Sequence, residues 1–165
     1  QAMTNLAKIN AKIQNSDSLS SLLKKWDAEG KKIVFTNGCF DLLHRGHIEY
    51  LSKAADLGDV LFIGVNTDAS VSKLKGESRP VQDEYSRLVI LSALDFVDAI
   101  ILFDEETPLE LIRKVQPHIL VKGADYKPED IVGYNIVKAR GGEIKTIEFL
   151  PGHSTSAIER KIKQG

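Results

Sequence analysis

The chain has 165 residues, with 22 basic and 23 acidic side chains, a formal net charge of −1 and 42% apolar residues. That length suits one domain able to bury its own core. The near-zero charge excludes a global field for nucleic acid or an anionic membrane, so any phosphate chemistry must rest on a local basic cluster. Cys39 is the single cysteine, which excludes an intrachain disulfide and suits a reducing, cytoplasmic setting, and no apolar run reaches the roughly 18 residues of a membrane span.

Gln1-Ala2 ahead of Met3 is no signal peptide and reads as the remnant of an expression tag. Residues 1–16 are assigned to that remnant and a weakly helical stretch, and 17–165 to a single domain. Leu19, Leu22, Leu23 and Trp26 recur at helical spacing, with Asp17 or Ser18 as cap and Gly30 as stop. Lys32–Thr36 reads as the first strand, ended by Asn37-Gly38. Arg45–Leu57 reads as a helix, Val60–Val65 (VLFIGV) as a buried strand, and a short helix follows from Thr67. Asp83–Leu94 is helical and Ala99–Phe103 is the third strand. Thr107-Pro108-Leu109-Glu110 has the form of a capping box with proline at the first helical position. His118–Lys122 is the fourth strand, 129–140 a helix stopped by Gly141-Gly142, Glu143–Phe149 the fifth strand, and Ser156-Ala157-Ile158-Glu159 a second capping box that opens the last helix. Five strands separated by helices predict an α/β, Rossmann-like, doubly wound parallel sheet with helices on both faces, whose ligand site lies beyond the strand C-termini.

The segment VFTNGCFDLLHRGHIEYL, 34–51, carries the densest chemistry. Gly38 permits a positive φ or a close backbone approach, and Gly46 leaves room for a phosphate at the start of the helix, where free N–H groups favour anions. His44 and His47, three apart, can point at one anion; the alternative is that His44 caps the helix and His47 packs in its first turn. A zinc pair with Asp41 lacks a third nitrogen or sulfur ligand at helical spacing. Phe40 reads as core and Cys39 as a buried filler.

FTNGCFDLLHRGH resembles the T/G-x-F-D-x-x-H-x-G-H signature of the nucleotidyltransferase superfamily, which includes cytidylyltransferases. The segments GVNTDASVSKLKGESRPV, RLVILSALDFVDAIILFDEETPLELI, ILVKGADYKPEDIVG and GHSTSAIERKI resemble the adenylyltransferase family of ADP-heptose synthesis, from about Lys24 onward. The resemblance implies transfer of AMP from ATP to D-glycero-β-D-manno-heptose 1-phosphate, with Mg²⁺ carried by the ATP. It implies that His44, His47 and Lys75 act on the reacting phosphates. Thr36, Asn37, Gly38, Cys39, Phe40, Gly46, Lys122, Gly123, Asp125, Ser154, Thr155 and Ser156 are implied at the nucleotide, and Asp41, Asn66, Asp68, Arg79, Arg87 and Tyr126 at the sugar phosphate. Asp41 has a second reading, fixing its loop or orienting a histidine; Arg87 has a structural one; and Asn66 and Asp68 have one in capping the next helix. Ala124 and Ser156 stand where the family has glycine and threonine, and His153, just before the hydroxyl-rich element, has no assigned role. A homodimer and a functional link to a heptose kinase are also implied. Two other readings stay open: a cytidylyltransferase acting on a polyol phosphate, and a nucleotide-binding protein without catalysis.

Overall fold

The structure, a computed structural model, describes residues 2–165; Gln1, part of the expected tag remnant, lies outside the described residues. Five strands, β1 (Ile33–Gly38), β2 (Val60–Asn66), β3 (Ala99–Phe103), β4 (Ile119–Gly123) and β5 (Glu143–Ile147), form one parallel sheet in the order β3-β2-β1-β4-β5. The chain builds outward from β1 to β2 and β3, then crosses to β4 on the other side. The strand order therefore reverses between β1 and β4, and a crevice opens there beyond their C-terminal ends.

The helices are α1 (Asn5–Ala11), α2 (Ser16–Ala28), α3 (Arg45–Ala55), α4 (Asp68–Lys75), α5 (Glu84–Ser92), α6 (Leu109–Val115), α7 (Tyr134–Ala139) and α8 (Thr155–Gln164). Alternation along β1 shows how the two faces are made. Val34 joins a core with Leu51 of α3, Ile63 and Leu91 of α5, while Phe35 joins the opposite core with Leu19 and Trp26 of α2, Phe62 and Ile112 of α6. Phe62 is fully buried, stacked on Phe35 at 5.9 Å and met edge-on by Trp26 at 6.4 Å.

Several local expectations shift. β1 runs two residues past Thr36, with Asn37 and Gly38 still paired to Gly64 and Val65; the chain turns instead at Phe40, whose φ is +49°. The helix expected over 129–140 is a 3₁₀ turn at Pro128–Asp130 followed by α7, which starts after Gly133 with φ at +92°. Thr107 does not cap α6: Pro108 stands at that position and no side chain caps the helix. α8 is capped by Ser154, not Ser156.

Residues 5–14 are tied to the domain. The Gln14 N–H donates to the Ile100 carbonyl and the Ile100 N–H to the Lys12 carbonyl, so this segment pairs with the outer edge of β3, and Lys12 Nζ donates to the Leu94 carbonyl. Phe62→Ala is expected to cost about 3–5 kcal/mol of stability, read as a lower urea midpoint with an unchanged m-value.

Candidate active site

The site grows from the start of α3. His44 is the residue before the helix, and its Nδ1 accepts from the Gly46 N–H at 3.0 Å; His47, three residues on, accepts from the His44 N–H through Nδ1 at 3.3 Å. This reciprocal capping satisfies two backbone donors with imidazoles in place of the usual oxygens. It also fixes both tautomers. With each Nδ1 an acceptor, the neutral ring carries its proton on Nε2, and among the described residues neither Nε2 has a hydrogen-bond partner. The two rings lie 3.9 Å apart, tilted by 32°, and the capping reading of the sequence holds for both.

The two glycines act differently from their sequence reading. A Cβ on Gly46 would lie 2.8 Å from His44 Cε1 and 3.3 Å from His153 Cβ; the room it leaves is filled by the His44 ring. A Cβ on Gly38 would come within 3.0 Å of the Phe40 ring, so this glycine admits the turn at Phe40.

A cleft of about 350 Å³ opens at the β1/β4 switch point. It is lined by Asn37, Gly38, Cys39, Phe40, Asp41, His47, Lys75, Lys122, Gly123, Asp125, Tyr126 and Thr155, twelve of the residues singled out in the sequence. A neighbouring compartment of about 340 Å³ shares Asn37, Gly38, Cys39, Lys122 and Tyr126 with it and adds Asn66, Leu74, Phe103, Glu106, Thr107 and Asp130. The sequence reading missed Tyr50 and Phe149, which line the first compartment and stack at 4.8 Å. Tyr50 lies one turn after His47 on the same helical face, and Phe149 follows β5 at the sheet end where the site was expected. Both signals were available.

His44 and Gly46 line neither compartment, and several other expected residues are held by partners within the fold. Thr36 is fully buried, accepting or donating with Tyr50 Oη and donating to the Val121 carbonyl. Arg87 is 1% exposed. It donates to the carbonyls of Cys39, Asn66 and Gln82 and to the Asp68 carboxylate, which favours its structural reading and occupies Asp68 as a partner. Ser154 caps α8 by accepting from the Ala157 N–H, and Ser156 is exposed outside the lining of both compartments. Asn66 donates to Ser70 Oγ within α4 while also lining the second compartment. Asp41 accepts from the backbone of Val81 and Gln82 and from Arg79 Nε, the loop-fixing role. Arg79 is committed to Asp41 and to Glu159, and its Nη2 is buried without a partner.

Burial dominates the site's electrostatics. It pushes His47 down to about 4, helped by the charges of His44 and Lys75, and it lowers His44 with help from His153. It lowers Lys122 against the pull of Asp125, raises the Cys39 thiol, and raises Tyr50 to about 12. Burial pushes Asp41 up too, but the Gln82 and Val81 amides and Arg79 outweigh it and hold the carboxyl below its ordinary value.

Comparison with known proteins agrees with this geometry. A family model described as cytidylyltransferase-like matches residues 35–161. Curated relatives called bifunctional protein HldE include one from Citrifermentans bemidjiense, 54% identical over 153 residues, covering 93% of this chain and 31% of the relative. Another, from Campylobacter jejuni, is 56% identical over 152 residues, covering 92% and 32%. The chain thus spans about a third of the length of the curated relatives it matches. Among solved structures, a lipopolysaccharide core biosynthesis protein from Thermoplasma volcanium is 32% identical, with a TM-score of 0.58 over 73% of this chain and 98% of that one. A pantoate-beta-alanine ligase from Francisella tularensis, 16% identical with a TM-score of 0.57 over 92% of this chain and 76% of that one, shares the fold.

Between the ordinary imidazole value of 6.5 and about 4, the unfolded chain binds a proton at His47 that the folded chain refuses. Stability is therefore expected to fall as pH drops through that window. His47→Gln should flatten part of this slope, measured as the difference in urea midpoint between pH 7 and pH 5 for the two proteins.

Proposed function

The chain belongs to the cytidylyltransferase-like family, a family of nucleotidyltransferases, and we propose that it transfers AMP from ATP to D-glycero-β-D-manno-heptose 1-phosphate, giving ADP-heptose and pyrophosphate. The observation that carries this reading is the imidazole pair at the start of α3, each Nδ1 tied to backbone and each Nε2 without a partner among the described residues, with His47 lining a cleft that also holds Lys75 and Lys122. The lipopolysaccharide core role of the Thermoplasma neighbour supports the sugar class. The word bifunctional in the name of the relatives supports a link to a kinase that supplies the sugar 1-phosphate.

The chemistry suits these residues. The attacking group, a phosphate oxygen of the sugar 1-phosphate, is already ionised and needs no general base. It forms a bond to the α-phosphorus of ATP, the bond to the bridging oxygen breaks, and pyrophosphate leaves with that electron pair. The protein must hold two anions in line and stabilise the charge that gathers on the α-phosphoryl and bridging oxygens. A neutral His47 with its proton on Nε2 is a donor prepared for this, and the paired rings cost less to bury than two imidazolium ions in contact. Lys75 and Lys122 supply the fixed positive charge.

We assign the triphosphate to the first compartment and the sugar to the second. Asn66, Glu106 and Asp130 of the second compartment are suited to hydroxyls of a polyol. Mg²⁺ brought with ATP would offset part of the triphosphate charge. Among the described residues no three His, Cys, Asp or Glu side chains converge on a metal position, so phosphate oxygens and water fit as its main ligands, with Asp125 the carboxylate at hand in the cleft.

Pyrophosphate release across ATP and CTP, each with heptose 1-phosphate, other sugar 1-phosphates and glycerol 3-phosphate, tests the reading. Turnover is expected with ATP and the heptose ester. Preference for CTP with a polyol phosphate, or nucleotide binding without turnover on any acceptor, would overturn it. His47→Ala should lower kcat by at least ~100-fold, the scale for losing one preorganised donor. Gly46→Ala should displace the His44 ring and lower kcat/KM by roughly tenfold or more, and lower Tm by only a few degrees, the scale for losing the cap that His44 Nδ1 gives the Gly46 N–H.

A further inference from the structure

We infer that Glu159 is a positioning residue: through Arg79 it docks α8 onto the loop before α3 and so sets where the hydroxyl-bearing start of that helix sits relative to His44 and His47. This rests on the nucleotidyltransferase reading for its kinetic consequence, though not for its geometry.

α8 is amphipathic but buries no residue; Ile162 on it is 71% exposed. Ala157 and Ile158 are only half-buried, so apolar packing fixes the helix in part and polar contacts complete its placement. Two such contacts reach the site. Thr155 Oγ1 donates to the Leu42 carbonyl at 3.2 Å, and Glu159 Oε1 meets Arg79 Nη1 at 3.1 Å. Arg79 is itself anchored, since its Nε donates at 2.6 Å to an Asp41 carboxylate that is fully buried and also accepts from the Val81 and Gln82 amides.

The two ends of this Asp41–Arg79–Glu159 chain differ in kind. The Asp41 end is buried, closed by three donor groups and permanent. The Glu159 end is a contact with a carboxylate 28% exposed, weaker and open to exchange. Between them, Arg79 Nη2 is buried with no partner on a side chain nine-tenths buried. The Arg79–Glu159 contact and the Thr155–Leu42 hydrogen bond are thus polar ties between α8 and the loops that carry the site. Glu159 thereby holds α8 in register before substrate arrives, at a residue the sequence assigned only to a local cap.

Amide hydrogen exchange of α8 and pyrophosphate-release kinetics of Glu159→Ala and Glu159→Gln test this. With no ligand present, the α8 amides of Glu159→Ala should exchange faster while those of β1 and β4 stay as in the parent protein. KM for ATP should rise by about tenfold with a much smaller change in kcat. Glu159→Gln, which keeps an acceptor for Arg79, should recover part of both effects, and Tm should stay nearly constant across the set. Unchanged α8 exchange in Glu159→Ala would overturn the inference whatever the enzyme's activity; faster α8 exchange with an unaltered KM would overturn the positioning role. Absence of turnover in the parent protein would count against the catalytic reading alone, the exchange arm still deciding the docking.

Discussion

The guanidinium of Arg87 holds the C-terminal end of the sheet together. A cation at 1% exposure needs a full set of acceptors, and it takes them from the turn after β1, the end of β2, the start of α4 and the loop before α5. These segments are far apart in sequence, and Arg87 joins all four, beside the Asp41 bonds that tie the first of them to the last. With it, the turn that carries Cys39 and Phe40 is locked to the strand beside it, and the loop that carries Arg79 is locked to both. The imidazole pair then stands on a rigid base, which a reaction controlled by positioning requires.

Much of the fold was legible because its signals are local or periodic. The buried runs of β1 and β2, the spacing of Leu19, Leu22, Leu23 and Trp26, and the position of the ligand crevice all follow from burial and topology. What was not legible depended on which partner a polar group finds. Two capping boxes read from sequence, at Thr107 and Ser156, do not form, while two others do, at Asn15 with Ser18 and at His44 with His47. Glu159 illustrates the reason. Three residues after a serine it has the right spacing for a local cap, yet it meets a guanidinium 80 positions earlier in the chain, and a charged partner at close range outcompetes a backbone N–H. Arg87 and Asp41 are similar cases. The resemblance places both at the sugar phosphate with a structural role as the second reading, and the packed structure shows their hydrogen bonds spent within the fold.

A chain of net charge −1 gathers positive charge at the cleft by subtraction as much as by addition. Asp41 is neutralised by Arg79 and two amides, Asp68 by Arg87, and Lys75 and Lys122 remain uncancelled apart from Asp125. The lowered pKa values keep both imidazoles neutral, so the cleft avoids the repulsion of clustered cations and each Nδ1 stays an acceptor for its backbone N–H.

The pairing of residues 12–14 with β3 has a consequence for how these molecules meet one another. An uncovered sheet edge is a template for a further strand, and here the β3 edge is already taken along part of its length. That leaves β5 as the more open border, and it carries Glu143 and Lys145, paired at 3.1 Å, along an exposed strand. A foreign strand arriving there would have to strip water from both charges. Edge-to-edge association is thus opposed by residues 12–14 on one flank and by two charged side chains on the other.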